Sequence, residues 1–441
     1  MSQNPTHRFG QSAQANPADA LFFWTGGPDL VAERTWFQSA FSGVTAFETD
    51  EGIVLVDSGM APLAPTLAAM VRQVSAAPVH TAIYTHGHID HAYGLGAFLL
   101  EGQAPPNVIA HRALLERLER YRLTEGYNRA INARQFQASA DADLAGVDFA
   151  GSLIQPTMTY DDELSVSVGG MDFQLHHARG ETDDHTWVFC PERSVLCTGD
   201  LIIWAAPNAG NPQKVQRYPW DWAAALRSMD TLGARTLCPG HGGPVIDDPQ
   251  LVRQILSETA EFLETIVERT LALMNDGAPP HVDIVRNIDL PASASPWLSP
   301  VYDEAEFIVR NVIRYFGGWY SGRPSELKPA PRVRLATAIA ELAASTDGPS
   351  GDVQTGACRS DADPVGPGKL IAAARRVADE GDLAVACHLA DFALEAGPEI
   401  EEVRNGVAAI YEQRASYETS LMAINLYRSA AAYAREGRAF H

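Results

Sequence analysis

The sequence predicts an α/β half, with sheet layers covered by helices, followed by an all-helical half. Three observations predict it. From about Asp29 to about Val245, short apolar runs alternate with helical stretches and Gly-rich turns. After Pro249 the apolar residues recur only at helical spacing. Directly after the apolar run Ala82-Ile83-Tyr84, the segment Thr85-His86-Gly87-His88-Ile89-Asp90-His91 places four metal-binding side chains within six residues. At 441 residues the chain is too long for one ordinary core, so at least two domains are expected.

Taken in order, Val44–Glu48 and Ile53–Asp57 read as strands joined by the Thr49-Asp50-Glu51-Gly52 turn. Pro65–Val74 reads as a helix, and Thr81–Tyr84 as the strand that feeds the histidine loop. Ile109–Gln137 reads as helical and rich in Arg, Glu and Tyr, either a solvated face or an insertion near the site, the former preferred. Further strands are expected at Leu164–Val168, Met171–Leu175, Thr186–Phe189 and Val195–Thr198. Val252–Met274, Glu304–Phe316 and Arg332–Ala344 follow as helices. The Gly/Ser/Asp/Pro-rich stretch Ser345–Gly368 reads as a mobile connection. Ala-rich helices are then expected at Leu370–Glu380, Leu383–Glu395, Glu399–Arg414 and Ser420–Arg435, with Gly381-Asp382 and Gly397-Pro398 as breaks. These paired helices resemble a tetratricopeptide-like array, but no repeated signature is found.

Imidazole and carboxylate ligands suit zinc and related divalent ions. An H-x-H pair can converge on one metal at a sharp turn, leaving Asp90 and His91 to face a second. The H-x-H-x-D-H pattern resembles the signature of the metallo-β-lactamase superfamily, which implies an αββα sandwich with a two-metal site. Asp200, ending the run Ser194-Val195-Leu196-Cys197-Thr198-Gly199, then stands as the bridging carboxylate, and His241 in Cys238-Pro239-Gly240-His241-Gly242 completes the second metal. The ligand set is therefore His86, His88, Asp90, His91, Glu181, Asp200 and His241, with Asp90 and Asp200 also placed in catalysis. Two divalent ions per chain are expected, zinc first and manganese as the alternative. Asp57 ends its strand nearby and is read as support for the ligands.

Glu181 is the departure. Most superfamily members carry a Gly-His-Thr element between the first motif and the bridging aspartate, whereas here the segment is Ala178-Arg179-Gly180-Glu181-Thr182-Asp183-Asp184-His185. Either Glu181 is the ligand, which is favoured, or His177 or His185 compensates. The Gly-Glu-Thr element resembles the alkylsulfatase branch. So does the segment Trp204–Tyr218, and the stretches Pro300–Asn311, Gly317–Pro324, Leu383–Ala390 and Ser420–Ala423 resemble that branch's dimerisation domain. The resemblance implies a catalytic domain over residues 1–247, a helical dimerisation domain over 248–441 and a homodimer. It lacks the branch's C-terminal sterol-carrier-like domain, which weakens the expectation of long-chain substrates.

The function implied is hydrolysis of an organic sulfate ester or sulfamate by metal-activated water, with attack at carbon or at sulfur both open. The alternative is another hydrolysis on the same fold, of a lactone, thioester, β-lactam or phosphodiester. The substrate would be a small organic anion. Arg310 matches a sulfate-contacting arginine of the branch, and Arg314 lies one turn on; either could instead pair with Glu304 or Glu306. Asn208, Asn211, Lys214 and Arg217 form a polar cluster after Asp200, read as substrate-binding or as a turn-rich structural loop. Tyr218, Trp220 and Trp222 could line it or sit in the core.

A net charge of −22 argues against nucleic acid as partner. No run approaches the roughly 18 apolar residues of a membrane span. Five scattered cysteines form no C-x-x-C pair and read as reduced, and no export signal is visible at the N-terminus, so a cytoplasmic protein is expected.

Overall fold

A computed structural model describes residues 26–136, 153–292, 295–345 and 365–440. It falls into two compact units, Met1–Arg129 with Ala145–Trp319, and Ala130–Leu144 with Tyr320–His441.

The first unit holds two sheets. The larger runs in order β1 (Asp29–Ala32), β2 (Thr35–Gln38), β3 (Val44–Thr49), β4 (Gly52–Val56), β5 (Val79–Ile83), β6 (Asn107–His111), β7 (Met158–Tyr160). Its first four strands pair antiparallel and the rest parallel. The second sheet orders β12 (Thr236–Pro239), β11 (Val195–Gly199), β10 (Thr186–Cys190), β9 (Met171–His177), β8 (Glu163–Val168), with only β11 and β12 parallel. Period-2 alternation sends Phe47, Val54, Val56 and Ile83 of one sheet and Phe173, Leu175, Val188 and Cys197 of the other into a shared core between them. The opposite faces of the same strands (Ala46, Ile53, Leu55, Ala82) pack on helix α1 (Ala64–Val74) through Leu67, Ala68 and Val71. This is the αββα arrangement. Strand β4 is accordingly apolar throughout, because both of its faces are buried.

The region expected as one helix over Ile109–Gln137 is corrected. After the single turn α2 (Ile89–Ala92), Val108-Ile109-Ala110 form β6, an interior parallel strand beside β5, and the helix is two: α3 (Ala113–Leu123) and α4 (Glu125–Gln135). Nor is α3 merely a solvated face, because Leu114, Arg117 and Leu118 are buried. Helix α5 (Pro219–Asp230) packs on α6 (Pro249–Asn275), which starts on Pro249 with the Asp248 side chain accepting from the Leu251 amide. Helices α7 (His281–Asn287) and α8 (Ala305–Phe316) complete the unit.

In the second unit, helices α9 (Arg332–Ala344), α10 (Val365–Asp379), α11 (Leu383–Ala396), α12 (Glu401–Ser416) and α13 (Leu421–Arg435) share one core. Ala374, Ala386, Ala390, Ala393, Ala431 and Ala434 let the helix backbones approach, and Val403, Val407 and Ile410 fill the space between. Asp382 and Ser420 cap their helices by accepting from the amides of Val385 and Ala423. Of the stretch expected as a connection, residues 346–364 lie outside the described residues, as does Cys358; residues 365–368 already belong to α10. Cys190, Cys197, Cys238 and Cys387 are unpaired thiols. Among the described residues no helix is long and apolar enough to cross a membrane.

Candidate metal centre

Five strand ends deliver the site. The chain leaving β4 places Asp57, the loop after β5 carries His86, His88, Asp90 and His91, and the turn between β9 and β10 carries Glu181. Asp200 follows β11, and His241 follows β12. A Gly must precede Asp200. Gly199 has φ +49°, and a Cβ there would lie 2.8 Å from both the His185 ring and Thr85 Cβ.

Two groups of ligand atoms form, each within 4.8 Å: His86, His88, Glu181 and Asp200 in one, Asp90, His91 and His241 in the other. Asp200 joins them. Its Oδ2 lies 3.6 Å from His86 Nε2, while its Oδ1 lies 3.0 Å from His91 Nε2 and 3.4 Å from His241 Nε2. Asp90 Oδ2 sits 3.5 Å from both His91 Nε2 and His241 Nε2. In the first group, His86 Nε2 and His88 Nδ1 approach to 2.8 Å, and His88 Nδ1 is 3.8 Å from Glu181 Oε1.

The histidines are aimed by their other nitrogens. His91 Nδ1 donates to Asp57 Oδ2 at 2.8 Å, and His241 Nδ1 donates to the Phe41 carbonyl at 2.5 Å. Thr85 Oγ1 donates to Asp57 Oδ2 (2.8 Å), which leaves it to accept from His86 Nδ1 (3.0 Å). The network thereby assigns the lone pair of Nε2 in all three rings to the centre. Burial holds His86 and His88 well below the ordinary imidazole value, so both rings are neutral and able to act as ligands. Burial also lowers His91, but Asp200, Asp90 and Asp57 outweigh it and hold it well above that value. Asp200, in spite of burial, is held well below the carboxylate range by His91, His241 and His86.

The residues fit divalent ions. Both His91 Nε2 and Asp200 Oδ1 are buried without a hydrogen-bond partner, and the donors are all imidazole or carboxylate.

Glu181, not His177 or His185, stands in the first group. His177 Nε2 meets the Asp183 carbonyl at 2.9 Å and its ring stacks on His111, and His185 Nε2 accepts from the Asp200 amide at 3.1 Å. Glu181 Oε1 takes Arg217 Nη1 at 3.0 Å and Asn208 Nδ2 at 2.5 Å. Asn211 Nδ2 reaches Asn208 Oδ1 at 3.5 Å, and the Asp303 carboxylate accepts from the amides of Gly210 and Asn211, which holds this loop. Lys214 is pushed down to about 7 by burial and by Arg217. Asn208, Asn211 and Arg217 are thus gathered beside Glu181, with Lys214 close enough to feel its charge.

Arg310 is not brought to the centre. It is exposed on α8 and paired with Glu306 one turn earlier at 3.0 Å, and no contact among the described residues joins it to the ligands. Arg314 instead pins the loop, donating to Gln216 Oε1 (3.1 Å), the Lys214 carbonyl (3.2 Å) and Asn311 Oδ1 (3.0 Å). Trp222 is core, its indole N–H on the Leu201 carbonyl, while Trp220 is exposed and Tyr218 half-buried against Tyr315. Sequence reading missed Arg117 and Asp184. Arg117 is buried and its Nε meets Asp184 Oδ1 at 2.8 Å, while Asp184 Oδ2 accepts from the Gly87 amide at 2.7 Å. Only an Asp-Asp-His run and an Arg in an expected helix mark them.

Residues 41–241 match the metallo-β-lactamase superfamily, and residues 281–362 and 364–437 match the alkyl sulfatase dimerisation family. The chain therefore carries a metallo-β-lactamase superfamily domain followed by an alkyl sulfatase dimerisation domain. It is 26% identical over 323 residues to a linear primary-alkylsulfatase of Pseudomonas, covering 68% of this chain and 60% of that protein. It is 23% identical over 423 residues to an (R)-specific secondary-alkylsulfatase of Pseudomonas, covering 90% of this chain and 60% of that one. The chain thus spans about 60% of the length of these curated relatives. A solved stereoselective inverting sec-alkylsulfatase from Pseudomonas shares the fold with a TM-score of 0.77 at 22% identity, over 93% of this chain and 66% of that one.

Proposed function

We propose that the protein hydrolyses an organic sulfate ester, or a sulfamate, with two divalent ions, zinc before manganese. His86, His88, Glu181 and Asp200 would hold the first and Asp90, His91 and His241, sharing Asp200, the second. The single observation that carries this reading is Glu181, a carboxylate from the Gly-Glu-Thr element, standing beside His88 where most of the superfamily has a histidine. The alkylsulfatase relatives support it. When bound, such ions supply Lewis acidity and lower the pKa of water toward neutrality.

The chain's own residues do the rest. Asp90 and Asp200 would orient the attacking water. Arg217 and Asn208 hold Glu181 in place, and Lys214, lowered to about 7, would add positive charge toward the anionic substrate only in its protonated form. Arg310 and Arg314, the contacts suggested by the family, would serve only at the outer edge of such a site. Water and R–O–SO₃⁻ give the alcohol and hydrogen sulfate, so no further co-reactant is needed. Residues 1–247 would form the catalytic part, and residues 248–441 the helical part that pairs two copies.

The test is a panel of short alkyl sulfates, aryl sulfates, sulfamates, lactones, thioesters, β-lactams and phosphodiesters, read by sulfate release and by ester cleavage. Sulfate release from at least one sulfur ester is expected. Turnover of a lactone, thioester, β-lactam or phosphodiester with no activity on any sulfur ester would overturn the proposal.

A further inference from the structure

Two loops must come to a fixed distance for the first metal group to exist. One carries His86 and His88, the other Glu181. They are not neighbours in sequence, and His88 is only partly buried, so packing alone does not set their spacing.

One carboxylate spans the gap. Asp184 Oδ2 accepts from the backbone N–H of Gly87, the residue between the two histidines, at 2.7 Å. Its Oδ1 takes Arg117 Nε at 2.8 Å. Arg117 is itself fixed, with Nη2 on Asp183 Oδ1 (2.8 Å) and Nη1 on the Tyr121 hydroxyl (2.9 Å). The approach is close enough that a Cβ on Gly87 would lie 2.9 Å from Arg117 Cδ and 3.1 Å from Asp184 Oδ2. The next residue, His185, accepts from the Asp200 amide and stacks on His86, with ring centroids 4.9 Å apart. The turn 181–185 therefore supplies one ligand and holds the backbone that carries three others.

The second group is supported elsewhere. His91 leans on Asp57 and His241 on the Phe41 carbonyl, and neither touches Asp184.

We infer that Asp184, seated on the buried guanidinium of Arg117, is a positioning residue for the first metal group alone, tying the Glu181 turn to the backbone between His86 and His88. This rests on the two-group reading of the metal centre and not on the choice of substrate. An ordinary buried ion pair would affect folding without favouring either ion, and the two cases differ in what is measured.

The experiment uses the full chain, loaded with zinc and dialysed, with zinc content by mass spectrometry and affinities by chelator competition. Wild type is expected to hold two zinc ions. Asp184→Ala is expected to keep one at wild-type affinity and to bind the other about 10–100-fold more weakly. Arg120→Ala, which removes a partner of Asp183 but not of Asp184, is expected to keep both. Circular dichroism reports folding. A folded Asp184→Ala protein that keeps both ions at wild-type affinity, or weakens both equally, overturns the inference. If Asp184→Ala does not fold, Asp184→Asn and Arg117→Lys decide it, with selective weakening of one ion expected and two unchanged ions refuting it. A wild type without zinc would instead defeat the reading of the centre itself.

Discussion

Asp57→Asn should disarm the metal centre while leaving the fold nearly intact. The Asp57 carboxylate is 3% exposed and accepts three hydrogen bonds: Thr85 N–H at 2.7 Å on Oδ1, and the Thr85 hydroxyl and His91 Nδ1, both at 2.8 Å, on Oδ2. An amide in its place has one acceptor and one donor end. The Thr85 backbone N–H cannot change role, so the amide oxygen must take the Oδ1 position and the NH₂ group the Oδ2 position. Its two partners there can both adapt. The hydroxyl turns to accept and donates onward to His86 Nδ1, and His91 changes tautomer so that Nδ1 accepts. Each change moves a proton onto Nε2, the atom facing the centre. Asn also tolerates the left-handed backbone at this position, where φ is 60°. All three hydrogen bonds survive in number, so the expected loss of stability is about 1–2 kcal/mol. By contrast Asp57→Ala leaves three buried donors unpaired and should cost about 3–5 kcal/mol. The zinc affinity of Asp57→Asn should fall about 10–100-fold at each group, because each loses the correct tautomer of one histidine. Chelator competition measures this, and urea unfolding of the metal-free proteins measures the stability difference. Two zinc ions held by Asp57→Asn within about threefold of wild-type affinity would refute the tautomer argument.

Arg310→Ala should change stability by less than about 0.5 kcal/mol and KM for a short alkyl sulfate by less than about twofold, because an exposed i,i+4 pair contributes little; a tenfold rise in KM would give Arg310 to the substrate. Arg217→Met removes the cation that opposes protonation of Glu181 and leaves the Glu181 carbonyl without a donor, so it should weaken zinc binding at pH 7 and cost the metal-free protein about 1–3 kcal/mol, as chelator competition and urea unfolding can show. Burial raises Asp303 from 3.8 to about 6 in spite of three backbone N–H donors. Its folded value lies above its unfolded one, so its contribution to stability is fully present below about pH 4 and is lost as the pH rises to 6 and beyond, by about 3 kcal/mol. The difference in unfolding free energy between wild type and Asp303→Asn should therefore shift across pH 4–6 and level off above pH 7.

Val44–Glu48 and Ile53–Asp57 are legible as apolar runs joined by the Thr-Asp-Glu-Gly turn, and the helix over Val252–Met274 by its 3.6-residue repeat. Strands β1, β2, β7 and β12 have three or four residues each, too few for a period to show. Strand β6 was absorbed into the helix after it, since Val108-Ile109-Ala110 is apolar on both faces and a run so short fits either element. The two imidazole and carboxylate clusters are legible because the H-x-H-x-D-H, Gly-Glu-Thr, Gly-Asp and Pro-Gly-His elements each supply such side chains. The residues that aim them were less so. Asp57 could be inferred from its place at a strand end, but Asp184 acts through a backbone amide 97 positions earlier, and no spacing rule connects them. For Arg310 the motif specifies a residue and not the direction in which its side chain leans, which here is toward Glu306.

The charge balance of the centre gives a last expectation. Glu181, Asp90 and Asp200 bring three carboxylates together, and Arg217 is paired with only one of them. Without ions, burial pushes Glu181 up to about 8, with the nearby Asp200 carboxylate adding to the rise and Arg217 opposing it. At pH 7 Glu181 is then mostly protonated, so a proton occupies the place that a cation would take. An ion entering the first group must displace it, and proton release has to accompany zinc binding. Zinc affinity of the first group should accordingly rise with pH up to about 8, where Glu181 gives up its proton, while the second group must displace the proton that the carboxylates hold on His91. Titration calorimetry of the metal-free protein in buffers of different ionisation enthalpy counts the protons directly. Glu181→His would replace the carboxylate by a group that is largely neutral at pH 7 and should shift that pH dependence downward while still allowing two ions to bind. An unchanged pH profile in Glu181→His would mean that the displaced proton resides on another group, and Glu181 would lose its place as the ligand that sets the metal affinity of this centre.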